Sequence, residues 1–151
     1  MRLTYETGTA TIIQLIILSF FNIANTVESI LANCFHTGGQ CATNVFSSVA
    51  FYIATVLWFA FLAFLGYLAQ TRRNKKFALM VMAAEMAVFI FAAANVYLGI
   101  TYHNAVLGLF TSLIDLILSS WIITLAYRLY KAGSSRVVHA RRRRHSVESD
   151  T

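Results

Sequence analysis

Proline is missing altogether from this 151-residue chain. Nothing in it therefore removes a helical N–H donor or drives a ring into the preceding turn, and long helices run unbroken. Charge is scarce as well. Only 12% of residues are charged and 58% are hydrophobic, whereas a globular domain carries about 25% charged residues. A soluble fold of this size leaves much of its surface in water, and this composition could not cover it. Lipid as the solvent removes the difficulty.

Basic residues are missing from most of the chain. The twelve Lys and Arg sit at Arg2, in the run Arg72, Arg73, Lys75 and Lys76, and from Arg128 onward. A soluble nucleic-acid binder spreads such residues over a folded surface. The run RRRR lacks an aromatic or folded context for RNA, and no nucleic-acid partner is expected.

Four stretches lack Lys and Arg and are long enough to cross a bilayer core, which takes about 20 apolar residues. They cover 9–31, 45–68, 77–100 and 105–127. The expected fold is all-α, an antiparallel four-helix transmembrane bundle with short loops. A membrane domain over 1–131 precedes a basic, disordered tail over 132–151. Every basic residue then falls on one side of the membrane, and the positive-inside rule makes that side cytoplasmic. The expected location is the plasma (inner) membrane, multi-pass, with both termini in the cytoplasm. Tyr67, Tyr127 and Tyr130 near the inner interface, and Tyr97 and Tyr102 near the outer one, suit rings that favour those depths. Trp58 falls mid-span and is expected to pack against a neighbour. The stretch Leu31-Ala32-Asn33-Cys34 faintly resembles a lipoprotein cleavage site. Asn33 is a poor residue for it and the apolar stretch is long, so the first span is expected to stay uncleaved.

Cys34 and Cys41 share the first outer loop, with Gly38 and Gly39 between them. Outside the cytoplasm a disulfide is expected; the alternative is two free thiols. The Cys-x-x-Cys spacing of redox enzymes is absent. His36 with the two cysteines lacks a fourth ligand for zinc, and no metal or cofactor is expected.

Three acids lie in or at the end of spans: Glu28, Glu85 and Asp115. Intramembrane acids are costly and mark candidate sites. At ~1.5 Å per residue, Glu85 lies ~12 Å from the inner edge and Asp115 ~15 Å from the outer edge, so their carboxyls share a height. No basic residue reaches that depth, and at least one of the two is expected to be neutral at pH 7. Thr111, Asp115 and Ser119 recur every four residues on one face. Gln14, Asn22, Asn25 and Ser29 fall in one arc of the first helix, and Ser48, Tyr52 and Thr55 do so on the second. Such stripes should converge inside the bundle. A candidate proton or cation site therefore comprises Glu85, Asp115, Ser119, Asn22 and Thr55. The favoured reading of the stripes is interhelical glue at ~1 kcal/mol per bond, with Ala83, Ala84, Ala87, Ala92 to Ala94, Gly66, Gly99 and Gly108 allowing close approach.

Arg72, Arg73, Lys75, Lys76 and Arg141, Arg142, Arg143 and Arg144 are expected to contact anionic lipid headgroups at the cytoplasmic face. The outer loops are too short for claudin-like proteins or tetraspanins. Small multidrug transporters place their key Glu midway along the first helix, where this chain has none. A MARVEL-type layout is similar in size and topology but shares no motif. The stretches RLTYETGTATIIQLIILSFFNIAN and LGLFTSLIDLILSSWIITLAYRL resemble small four-span integral membrane proteins of bacteria, a likeness that brings no catalytic motif or activity. The expected role is a non-enzymatic structural or interaction subunit whose partners are the bilayer, other membrane proteins or copies of itself. The alternatives are a proton- or cation-coupled transport component using Glu85 and Asp115, and a thiol-redox membrane protein using Cys34 and Cys41.

Overall fold

A computed structural model describes residues 6–36, 41–72, 74–102 and 106–149. They form four helices: α1 (Glu6–His36), α2 (Cys41–Arg72), α3 (Lys75–Tyr102) and α4 (Val106–Ser149). All four are long and apolar enough to cross a membrane, over Thr7–Ala32, Val45–Arg72, Lys75–Thr101 and Val106–Gly133. The chain is an all-α four-helix bundle of the multi-pass membrane type.

Each helix buries a stripe whose members recur at alternating steps of three and four residues. On α1 these are Thr7, Thr11, Gln14 and Leu18, on α3 Ala78, Val81, Glu85, Val88 and Ala92. On α2, Phe59, Leu62, Gly66 and Ala69 do the same. This is the seam pattern of nearly parallel helix axes. The opposite faces carry exposed large apolar side chains such as Ile16, Phe20, Leu57, Phe64, Ile90 and Ile117, as faces that meet lipid do. Tyr67, Tyr97 and Tyr127 also face outward, as interfacial rings do.

α1 packs most closely along α2, and α3 along α4. The first hairpin is tied at both ends. Cys34 and Cys41 form a disulfide with Cα atoms 4.8 Å apart, which fulfils the expectation of a ring. At the other end the Gly8 N–H donates to Gln70 Oε1 at 2.9 Å, so α2 satisfies one of the orphan donors that begin α1. Between these ends the helices nearly touch at Gly66, where a Cβ would meet the Thr11 side chain, its Cγ2 at 2.9 Å and its Cβ at 3.1 Å. The second hairpin starts on an N-cap. The Lys76 N–H donates to Asn74 Oδ1 at 3.0 Å and the Ala78 N–H to Asn74 O at 3.2 Å, as a capping Asn allows. Lys75 Nζ sits 5.8 Å from the centre of the Tyr130 ring, and Gly99 faces Leu109 far along the same pair. These contacts set α3 and α4 antiparallel.

Three expectations change. The disordered tail from 132 is instead a continuation of α4, which runs to Ser149. No proline ends the helix, and the five Arg among residues 136–144 are strong helix formers. Trp58 packs against Phe61 one turn along its own helix, ring centroids 6.1 Å apart, and remains exposed, so it faces lipid rather than a neighbouring helix. Of the small residues on α3, Ala92 is buried and Ala84 half-buried, while Ala83, Ala87, Ala93 and Ala94 face outward. The azimuth of the helix, not residue size alone, decides which of them touch a partner.

Candidate functional site: a buried carboxyl cluster

Three helices place polar side chains at one height in the bundle. Gln14 on α1, Glu85 on α3 and Ser119 on α4 are all 0% exposed. Gln14 is central. Its Nε2 donates to Glu85 Oε2 at 3.1 Å and to Ser119 Oγ at 3.4 Å. Ser119 in turn donates to Asp115 Oδ1 at 3.5 Å, one helical turn away. One amide thus links the two carboxyls through a hydroxyl, across both hairpins. The equal depth of Glu85 and Asp115 read from span lengths is consistent with this chain of bonds.

Apolar layers enclose the cluster. On the side nearer Gly8 and Asn74 lie Ala10, Leu65, Ala69, Val81, Ile122, Leu125 and Ala126. On the other side lie Leu18, Phe59, Leu62 and Val88. Charge buried between such layers without a partner is costly, and the span interiors over 9–31, 45–68, 77–100 and 105–127 hold no Lys or Arg. Three buried oxygens lack a hydrogen-bond partner among the described residues: Gln14 Oε1 and Glu85 Oε1 within the cluster, and Asn25 Oδ1 outside it.

Farther toward the disulfide, α1 meets α4 a second time. Asn25 Nδ2 donates to Thr111 Oγ1 at 2.9 Å, and Phe21 meets Phe110 edge-on with centroids 5.7 Å apart. Thr111 also donates to its own Leu107 carbonyl at 2.8 Å.

The remaining expected site residues stand apart from the cluster. Thr55 donates to the Phe51 carbonyl of its own helix at 2.8 Å, so the second polar stripe does not reach the carboxyls. A threonine can satisfy its hydroxyl on the preceding turn and needs no neighbour. Asn22 is half-buried and lies about two turns beyond Gln14, ~12 Å along the axis; its carbonyl accepts from Thr26 at 2.7 Å. Gln14 is the residue that the candidate site omitted. Its signal was its place in the polar arc of α1, at a distance from the helix start that matches that of Glu85.

Glu28 is exposed and borders a shallow apolar groove with Ala24, Val27, Leu31, Ala32 and Phe35. At the loop between α2 and α3, Arg72 and Lys76 are exposed and Lys75 is half-buried. Arg73 and the side chains of Arg141, Arg142, Arg143 and Arg144 lie outside the described residues. Among the described residues, no three His, Cys, Asp or Glu side chains gather as metal ligands.

These features define a polytopic membrane bundle with an enclosed polar core. Compared with family models, curated proteins and solved structures, the chain matches none.

Proposed function

We propose that this chain is a non-enzymatic structural or interaction subunit of the plasma (inner) membrane, in which the Gln14-centred cluster holds the two hairpins together. The supporting observation is enclosure. Gln14, Glu85 and Ser119 have no exposed surface and lie between two apolar layers, with the geometry of a lock rather than of a path. Side-chain bonds between membrane helices stabilise their association by ~1 kcal/mol each.

Both termini are placed on the cytoplasmic side, because the basic residues then share the inner face. There Arg72, Arg73, Lys75, Lys76 and the arginines at 141–144 attract anionic headgroups at ~1 kcal/mol per residue. Partners are membrane proteins, including copies of this chain, and no cofactor is required.

The test is reconstitution into sealed vesicles with proton- and cation-sensitive dyes, alongside unfolding of Glu85→Gln and Asp115→Asn in detergent. The expected result is no flux above protein-free vesicles and a loss of stability in both variants. Flux in the native protein that disappears in both variants while they stay folded would overturn the structural reading in favour of transport.

A further inference from the structure

We infer that Gln14, Glu85, Asp115 and Ser119 form an occluded binding site for one small monovalent cation of the sodium class, held by oxygen ligands. Two independent features meet here. The first is a pair of carboxyls on α3 and α4 with no basic residue in the span interiors over 9–31, 45–68, 77–100 and 105–127. The second is a pair of fully buried side chains whose oxygens, Gln14 Oε1 and Glu85 Oε1, have no hydrogen-bond partner. The amide of Gln14 is anchored inside the cluster through its nitrogen, and its oxygen is buried too. Buried acceptors are rarely left unpaired, and a carboxylate kept from water needs a compensating charge. A single cation supplies that charge and engages both orphan oxygens.

The donor set selects the cation. Carboxylate, amide and hydroxyl oxygens are hard ligands, which suit alkali and alkaline-earth ions rather than zinc or copper. Magnesium demands near-octahedral geometry and keeps several waters, for which the fully buried Gln14, Glu85 and Ser119 leave little access beside the half-buried Asp115. Calcium takes roughly 6–8 oxygens. Two carboxyls, one amide and one hydroxyl reach that number only if every oxygen is free, and Glu85 Oε2 and Asp115 Oδ1 already accept hydrogen bonds. A monovalent ion needs less charge and tolerates the oxygens that remain. The ion is bound as part of the core and is not carried through, so the inference stands whether or not the bundle partners another protein.

The experiment uses the full chain in detergent, with radioactive sodium in equilibrium dialysis and thermal melting in NaCl against choline chloride at equal ionic strength. The expected result is saturable binding of one sodium per chain and a higher melting midpoint in NaCl. Both effects should vanish in Glu85→Gln. In Ser119→Ala, which removes one ligand and keeps both carboxyls, affinity should fall by about tenfold or more. Absence of saturable binding by the folded native chain overturns the inference. So does sodium binding that survives unchanged in Glu85→Gln or Ser119→Ala. A midpoint that moves with pH and ignores sodium overturns it too, and assigns the place to a proton. Vesicle flux is a separate readout: sodium binding without flux leaves the structural role standing.

Discussion

Gly66→Ala tests how the first hairpin is built. The added Cβ would meet Thr11, with Cγ2 at 2.9 Å and Cβ at 3.1 Å, closer than packed carbon atoms normally approach. Thr11 cannot easily turn away. It is fully buried, and its hydroxyl donates to Thr7 O at 3.1 Å and Gly8 O at 2.9 Å. Either Thr11 leaves its rotamer or α1 and α2 separate, and forced overpacking of this kind costs ~1–3 kcal/mol. Alanine also favours helix over glycine by ~1 kcal/mol, which masks part of the loss. Gly108→Ala supplies the correction, because a Cβ there meets nothing within 4 Å. Gly66→Ala should therefore be less stable than Gly108→Ala by ~1–3 kcal/mol. Denaturant titration in mixed micelles, followed by the fluorescence of Trp58 and Trp121, measures both. Adding Thr11→Ala removes Oγ1 and Cγ2, leaves the Cβ contact, and should recover most of the difference in a double-mutant cycle. Equal stability of the two glycine variants, or no recovery, would refute the close approach.

Three further outcomes follow from the site. Gln14→Leu removes the donor shared by Glu85 and Ser119 and should cost ~1–3 kcal/mol in the same titration; an unchanged midpoint would mean that the cluster contributes no stability. Thr55→Ala should change stability by less than ~0.5 kcal/mol, since its hydroxyl serves its own helix, and a loss as large as that of Gln14→Leu would return Thr55 to the cluster. Cys34→Ser opens a short ring and should cost ~2 kcal/mol on chain-entropy grounds. The same loss should appear when the native protein is reduced, and a reduced protein as stable as the oxidised one would contradict the bond.

The spans were legible because hydropathy and length are additive along a chain, and the positions of basic residues mark their ends. The ring at Cys34 and Cys41 was legible because two residues so near in sequence have few other partners. The shared height of Glu85 and Asp115 followed from a fixed rise per residue. Azimuth was not legible. Nothing in the stripe Ser48, Tyr52 and Thr55 says whether it points at a neighbour or at lipid, and a threonine satisfied by its own backbone gives no signal either way. Gln14 and Asn22 lie in the same arc, and only the depth of each relative to Glu85 separates them. An approximate depth was available: from the span starts at 9 and 77, Gln14 lies ~8 Å in and Glu85 ~12 Å, whereas Asn22 lies ~20 Å in. The length of α4 was misjudged for another reason. Charge and polarity signal contact with water rather than loss of helix, so they do not mark where a helix ends.

Lipid changes what holds such a bundle together. Apolar side chains gain little by leaving a hydrocarbon solvent for one another, so close packing and polar bonds carry the specificity. The two devices divide between two tasks here. Within the first hairpin the fit is steric and local, through Gly66 against Thr11, and its ends are closed by the Gln70 contact and the disulfide. Between the hairpins the described hydrogen bonds radiate from α1, through Gln14 to α3 and α4 and through Asn25 to α4. The bond from Asn25 to Thr111 is a neutral one. Glu85 and Asp115, when ionised and uncompensated, carry a desolvation cost, and that cost is the reason to seek a bound cation between them.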